Sequence, residues 1–187
     1  MQSNEITGNI QVSFNQDEEE VFENDHQWLA HHLHLESNDE IFTLLSDFVL
    51  LWSLFENEFF DKDCKSGKLE KWVAPFQLPD EFCDDCIRTL KGWYLTPNGS
   101  ENESRMQALY HNSTRPTKSL LISGLESDDI SSRIRSIAIA VYRYRNNMFH
   151  GEKEVAEHRN RYRELFTFAN RFLRECLQAK NKNDNDG

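Results

Sequence analysis

Apolar residues along the chain recur at intervals of three and four, the spacing that gathers them on one side of an α-helix. The cleanest run is Val155, His158, Tyr162, Leu165, Ala169, Phe172 and Cys176, widened by Phe166, Leu173 and Leu177. It predicts a last helix with acidic first-turn residues Glu152 and Glu154, reaching about Ala179. A first long helix is predicted from about Asp39 to Phe60, with Phe42, Leu45, Phe48, Val49, Trp52, Phe55, Phe59 and Phe60 on one broad face. A shorter one precedes it over about residues 21–35. Asp80 caps a helix near 81–95 whose apolar side holds Phe82, Cys86, Ile87, Leu90, Trp93 and Tyr94. Ser100 with Glu103 has the form of a capping box opening a short helix to about His111. A further helix begins near Ile130 and stops at Gly151. The segments "DKDCKSGKLEKWVAPFQLPD" and "STRPTKSLLISGLESDD" read as an irregular connector and a loop.

This pattern predicts an all-α bundle of about four to six helices over residues 26–180. Residues 1–25 form an acidic N-terminal arm in which "ITGNIQVSF" alternates weakly, as a short strand would. Residues 181–187, "NKNDNDG", are expected to be a disordered tail.

The 187 residues suit one domain with a substantial core. Ile41–Phe60, the most apolar stretch, is interrupted by Asp47, Glu56 and Glu58, so no membrane span is expected. The first twenty residues lack a basic region followed by an apolar one, and a cytoplasmic location is the expectation. In that compartment the sequons at Asn98, Asn102 and Asn112 meet no glycosylation machinery, and Cys64, Cys83, Cys86 and Cys176 are free thiols. The spacing of "CDDC" is that of a redox or zinc half-site, but without a second pair, core packing on a helix is the better reading. "HHLH", with His31, His32 and His34, also lacks a second ligand cluster. No metal and no cofactor are expected.

The net charge of −11 argues against a generic nucleic-acid coat. It is unevenly spread: residues 1–130 carry 9 Lys and Arg against 25 Asp and Glu, whereas residues 131–180 carry 11 against 5. A basic part within an acidic chain suggests a local anion-binding surface.

That basic part contains "RYRNNMFHGEK". On a helical wheel, Ile134, Ile137, Ala138, Val141, Met148 and Phe149 fall within an arc of about 120°. Arg145 lies near the middle of it, and Arg143 points to the opposite side, where it needs no partner. A guanidinium on an apolar face must meet a carboxylate, a phosphate or a water-filled cleft. Glu56 is the complementary anomaly, a carboxylate inside the apolar face of the first long helix. Glu56 is therefore expected to orient Arg145, in a structural ion pair or as part of a site. His150, at the helix end, sits where the helix dipole favours imidazolium. On an ideal helix it lies roughly 140° from Arg145, so the two converge only at a bend or between two copies. Asn146 and Asn147 add amides that can hold a ligand oxygen or fix an imidazole tautomer. A cation for phosphate, a group titrating near neutrality and flanking amides suit metal-independent RNA cleavage. His158, on the last helix, is a second-rank candidate, and Arg143 another.

"RNNMFH", Arg145–His150, resembles the Arg-x4–6-His signature of the HEPN superfamily, with Asn146 as the polar residue after the Arg. "YRYRNNMFHGEK" and the acid-bearing aromatic "LWSLFE" are most similar to the ApeA-like HEPN proteins of bacterial defence. The resemblance implies an all-α bundle that forms a homodimer, with two motifs facing one cleft. It further implies a ribonuclease in which the RNA 2′-OH attacks the adjacent phosphate, leaving a 2′,3′-cyclic phosphate and a 5′-OH. His150 would be the general acid/base, Arg145 would stabilise the phosphorane, and Asn146 would position His150 or the phosphate. Such proteins serve as toxins or antiviral effectors, in some cases with an antitoxin or sensor partner. The Tyr that some HEPN toxins carry just after the His is absent, Gly151, Glu152 and Lys153 standing there instead. The alternatives are a non-catalytic HEPN dimerisation or nucleotide-sensing module, and a helical adaptor binding a basic protein.

Overall fold

Asp39 starts the first helix by turning its own carboxylate onto the backbone: Oδ1 accepts the Ile41 N–H at 3.0 Å, so one free amide of the first turn is satisfied. The structure, a computed structural model, describes Gln27, Ala30, His31, Glu36 and residues 39–110, 116–149 and 159–186. The arm at 1–25, most of the helix read over 21–35, His32, His34, His150 and His158 lie outside the described residues. Gln27, Ala30 and His31 are helical.

Among the described residues the fold is all-helical, with seven helices and no strand. They are α1 (Glu40–Phe60), α2 (Ser66–Glu70), α3 (Asp80–Tyr94), α4 (Glu103–Tyr110), α5 (Pro116–Leu125), α6 (Ile130–Phe149) and α7 (Arg159–Asp186). Two of these were read as irregular from sequence. α2 is a single turn that exists because Leu69 and Trp72 are buried, Trp72 meeting the rings of Phe55, Phe59, Phe60 and Phe76. α5 opens at Pro116 and is rich in Thr, Ser and Gly, weak helix formers that hide it from propensity. Burial of Leu121 and Leu125 overrides that weakness.

Two caps also differ from expectation. Asp80 is the first residue of α3 rather than its cap, which is Pro79. Ser100 does not cap α4; Asn102 does, its Oδ1 accepting the Arg105 N–H at 3.3 Å and the Ser104 hydroxyl at 3.0 Å. Ser100 serves the preceding turn instead, where its carbonyl accepts the Thr96 N–H at 2.8 Å. α7 continues through Asp186, so the backbone of residues 181–186 is helical where a disordered tail was expected. No Gly or Pro interrupts that helix before Gly187.

α1 and α7 lie side by side and run in the same direction. Asp39 and Glu40 pair with Arg159 and Arg163 at one end, Leu44 O accepts from Asn170 Nδ2 at 2.9 Å, and Glu58 pairs with Lys180 at 3.5 Å further along. Between them Phe48 meets Phe166 and Phe55 meets Phe172, with ring centroids 5.2 and 6.4 Å apart. α5 and α6 form a tight hairpin across Ser127–Asp129, with Asp129 Oδ2 accepting the Ser132 N–H at 2.8 Å. Gly124 allows the close crossing, since a Cβ there would lie 2.5 Å from Ser136 Cβ and 2.6 Å from Ser132 O.

α6 occupies the middle of the bundle. Every residue from Ser136 to Tyr144 is buried, against α5 on one side and α2, α3 and α4 on others. The one-sided apolar arc read from its sequence is therefore corrected: the helix is buried all round, and Arg143 is inside, not facing solvent.

Candidate functional site

The motif occupies the last turns of α6, where the fully buried stretch gives way to half-buried positions at Arg145, Asn147 and Met148. Arg143 is 4% exposed. Its Nε and Nη2 both donate to Leu109 O at 3.2 Å, and its guanidinium lies 4.8 Å from the centroid of the Tyr110 ring. Asn147 Nδ2 donates to Ala108 O at 3.1 Å and Leu109 O at 3.3 Å. Two motif side chains four residues apart thus share one face of α6 and close the carboxyl end of α4, whose last carbonyls have no intrahelical partner. The sequence signal that marks this is "IAIAVY", residues 137–142, apolar on every side of a helix and therefore central.

Arg145 lies on a different side. Its Nη1 donates to Asn146 Oδ1 at 3.1 Å, which fixes the guanidinium plane against the helix end, and Asn146 itself is buried. Glu56 Oε1 accepts the Cys64 N–H at 2.9 Å. The charges of Glu56 and Arg145 both act on the Cys64 thiol, which burial pushes up to about 12; Glu56 adds to the rise and Arg145 opposes it. The two charges selected from sequence thus both act on one buried thiol. The turn that delivers Cys64 is unusual: Asp61 and Lys62 both adopt left-handed backbone, with φ of 50° and 62°. It is held by Lys62 N–H donating to Glu56 O at 3.2 Å and Asp63 N–H donating to Phe60 O at 3.0 Å. Asp63 pairs with Lys65 and Lys68, which hold its carboxyl below the usual range.

The remaining cysteines follow the core-packing reading. Cys83, Cys86 and Cys176 are buried free thiols. Burial pushes Cys83 up to about 11 and Cys86 up to about 12, and it raises Cys176 as well. Such thiols are poor nucleophiles and poor metal ligands. Among the described residues no grouping of His, Cys, Asp and Glu could hold a metal ion. No described helix is long and apolar enough to cross a membrane.

Two further features beside the motif escaped sequence reasoning. Tyr94 on α3 and Tyr144 on α6 are buried and joined hydroxyl to hydroxyl at 3.0 Å. Arg161, near the start of α7, lines the recess next to them with Asn147 and Met148. The repeating "RYR" of residues 143–145 and 161–163 draws attention to both places, but nothing in it says which Arg is paired.

No family model, no curated protein and no solved structure matches the chain.

Proposed function

We propose that this chain is a metal-independent endoribonuclease of the HEPN kind, working in the cytoplasm as a toxin or antiviral defence effector. The observation that supports it is the state of Arg145, a half-buried guanidinium at the end of the central helix, braced by Asn146 and facing the Glu56–Cys64 turn. A cation fixed in partly apolar surroundings stabilises a developing phosphorane without first having to reorganise. In this reading the RNA 2′-oxygen attacks the adjacent phosphorus while a His150 imidazole takes the 2′-OH proton. The bond from phosphorus to the 5′-oxygen then breaks, and that oxygen takes up a proton from an imidazolium. The products are a 2′,3′-cyclic phosphate and a 5′-OH. Two copies pair so that both motifs face one groove, and an antitoxin or sensor protein holds the enzyme in check.

The test is cleavage of single-stranded RNA by the purified protein in excess EDTA. His150→Ala is expected to abolish cleavage with helicity and oligomeric state unchanged, and cleavage by that variant at the wild-type rate would overturn the assignment.

A second reading is favoured by the bonds of Arg143 and Asn147, whose polar groups are spent on α4 carbonyls. If the motif as a whole serves packing, the chain is a non-catalytic helical module for dimerisation, nucleotide sensing or adaptor binding. That reading expects no RNA cleavage by the wild type and unfolding on Arg145→Ala.

A further inference from the structure

The recess beside the last turn of α6 is lined by Tyr94, Tyr144, Asn147, Met148, Arg161 and Phe166, among others, and no carboxylate is among its lining residues. Its space is about 20 Å³, enough for one water molecule or one oxygen of a larger group, and too little for a nucleobase. The Tyr94 and Tyr144 hydroxyls that line it share one hydrogen bond, at 3.0 Å. Each hydroxyl has one hydrogen to give and only one is used between them, so one tyrosine O–H is left over as a donor among apolar walls.

Arg161 supplies the charge. Its neighbours on α7 are spent, Arg159 on Asp39 and Arg163 on Glu40. Among the described residues Arg161 has no ion pair. Its charge nevertheless reaches the two buried hydroxyls, opposing the rise that burial imposes on both Tyr94 and Tyr144. Arg105, exposed on α4, acts on Tyr94 in the same sense. A hydrogen-bond donor, an unpaired cation and a volume of one oxygen atom describe a site for an anion.

We infer that Arg161, with a tyrosine hydroxyl behind it, is a phosphate subsite that holds the backbone of a single-stranded RNA near the position cut at Arg145. This rests on the RNA-cleaving reading of the motif. Asn147 lies two residues beyond Arg145, roughly 3 Å further along the helix axis and on the other side of the helix, so only a strand that crosses over the end of α6 meets both places. One phosphate oxygen fills the mouth of the recess in place of water, and Arg161 grips the same phosphate from outside.

The experiment is fluorescence anisotropy with a labelled 2′-O-methyl oligonucleotide, which lacks the attacking hydroxyl and is bound without being cut. Affinity is measured across a salt series for the wild type, Arg161→Ala and Arg161→Lys. Arg161→Ala is expected to bind about tenfold more weakly. Its slope of log affinity against log salt should be shallower by about 0.7, the value of one lost phosphate contact on a single strand. Arg161→Lys keeps the slope. Circular dichroism checks the fold, and Arg161→Gln, which retains most of the side-chain stem, replaces the alanine variant if that one unfolds. Unchanged affinity and slope on removal of the charge overturn the subsite, as does failure of the wild type to bind the oligonucleotide. Arg161-dependent binding without cleavage of unmodified RNA upholds the subsite and overturns the nuclease instead.

Discussion

Arg143 donates through both Nε and Nη2 to the single carbonyl of Leu109, at 3.2 Å each, and so fastens the end of α4 to the middle of the bundle. Two residues on, Arg145 Nη1 donates to its neighbour Asn146, at a half-buried position near the end of the same helix. Truncating these two arginines should therefore have opposite consequences. Arg143→Ala leaves a buried carbonyl and a cavity, and is expected to lower stability by about 2–4 kcal/mol. Arg143→Lys recovers little of this, since a single ammonium cannot reproduce the two-pronged contact. Arg145→Ala, at a half-buried position, is expected to cost less than Arg143→Ala and to remove RNA cleavage. Urea unfolding beside a cleavage assay separates the two, and a larger stability loss at 145 than at 143 would contradict the assignment.

Asp39 performs two tasks with one carboxylate, capping α1 through the Ile41 amide and pairing with Arg159 at the start of α7. Asp39→Asn keeps an amide oxygen for the cap but loses the charge, whereas Asp39→Ala loses both. The expected order of stability is wild type, then Asn, then Ala, with the step from Asn to Ala about 1 kcal/mol, the usual value of an N-cap. Thermal melts of the three proteins at low and high salt check it, because only the first step should shrink as salt rises.

Gly124→Ala should be poorly tolerated although alanine is the better helix former. The added methyl meets Ser136 Cβ at 2.5 Å and the backbone oxygen of Ser132 at 2.6 Å, and the latter cannot rotate away. A loss of about 1–3 kcal/mol is expected. Ser136→Gly in the same chain removes only the first clash and should not restore wild-type stability.

Alkaline pH should unfold this protein. In the folded state burial pushes Cys64 and Cys86 up to about 12 and Cys83 up to about 11, against 9.0 for the unburied thiol. The raised groups are neutral in the native chain while their unfolded counterparts ionise. Their contribution is complete below about pH 9 and is lost progressively as pH climbs through 9 toward 11 or 12. Under reducing conditions the urea midpoint should fall across that window, and Cys83→Ser with Cys86→Ser should make the fall shallower. A midpoint constant from pH 8 to 11 would show that these thiols are not buried as described.

The elements with strong periodicity were legible in the sequence: the ends of α1, α3 and the start of α6 lie within a residue or two of expectation. α5 was not, because Thr, Ser and Gly dominate its composition and its stability comes from packing on α6 that no local window contains. On a helical wheel with one dry side, Arg145 is the anomaly and Arg143 only a second-rank candidate; a helix buried on every side makes each of its charges an anomaly. Glu56 is half-buried, as its place on the apolar face of α1 suggests, but its bond to the Cys64 amide depends on a turn of two left-handed residues that "DKDC" does not announce. Arg161 could not be distinguished from Arg159 and Arg163 without knowing where Asp39 and Glu40 lie.

The same-direction packing of α1 and α7 carries a consequence for how this chain comes into being. Its bonds join residues 120 and 126 positions apart, Asp39 to Arg159 and Leu44 to Asn170. The aromatic side of α1 therefore has no permanent cover on a ribosome until α7 has emerged, and long-range closure of this kind is slow. Half-synthesised chains would present Phe48 and Phe55 to chaperones, and any destructive activity housed at the end of α6 would stay latent until translation had passed its last helix.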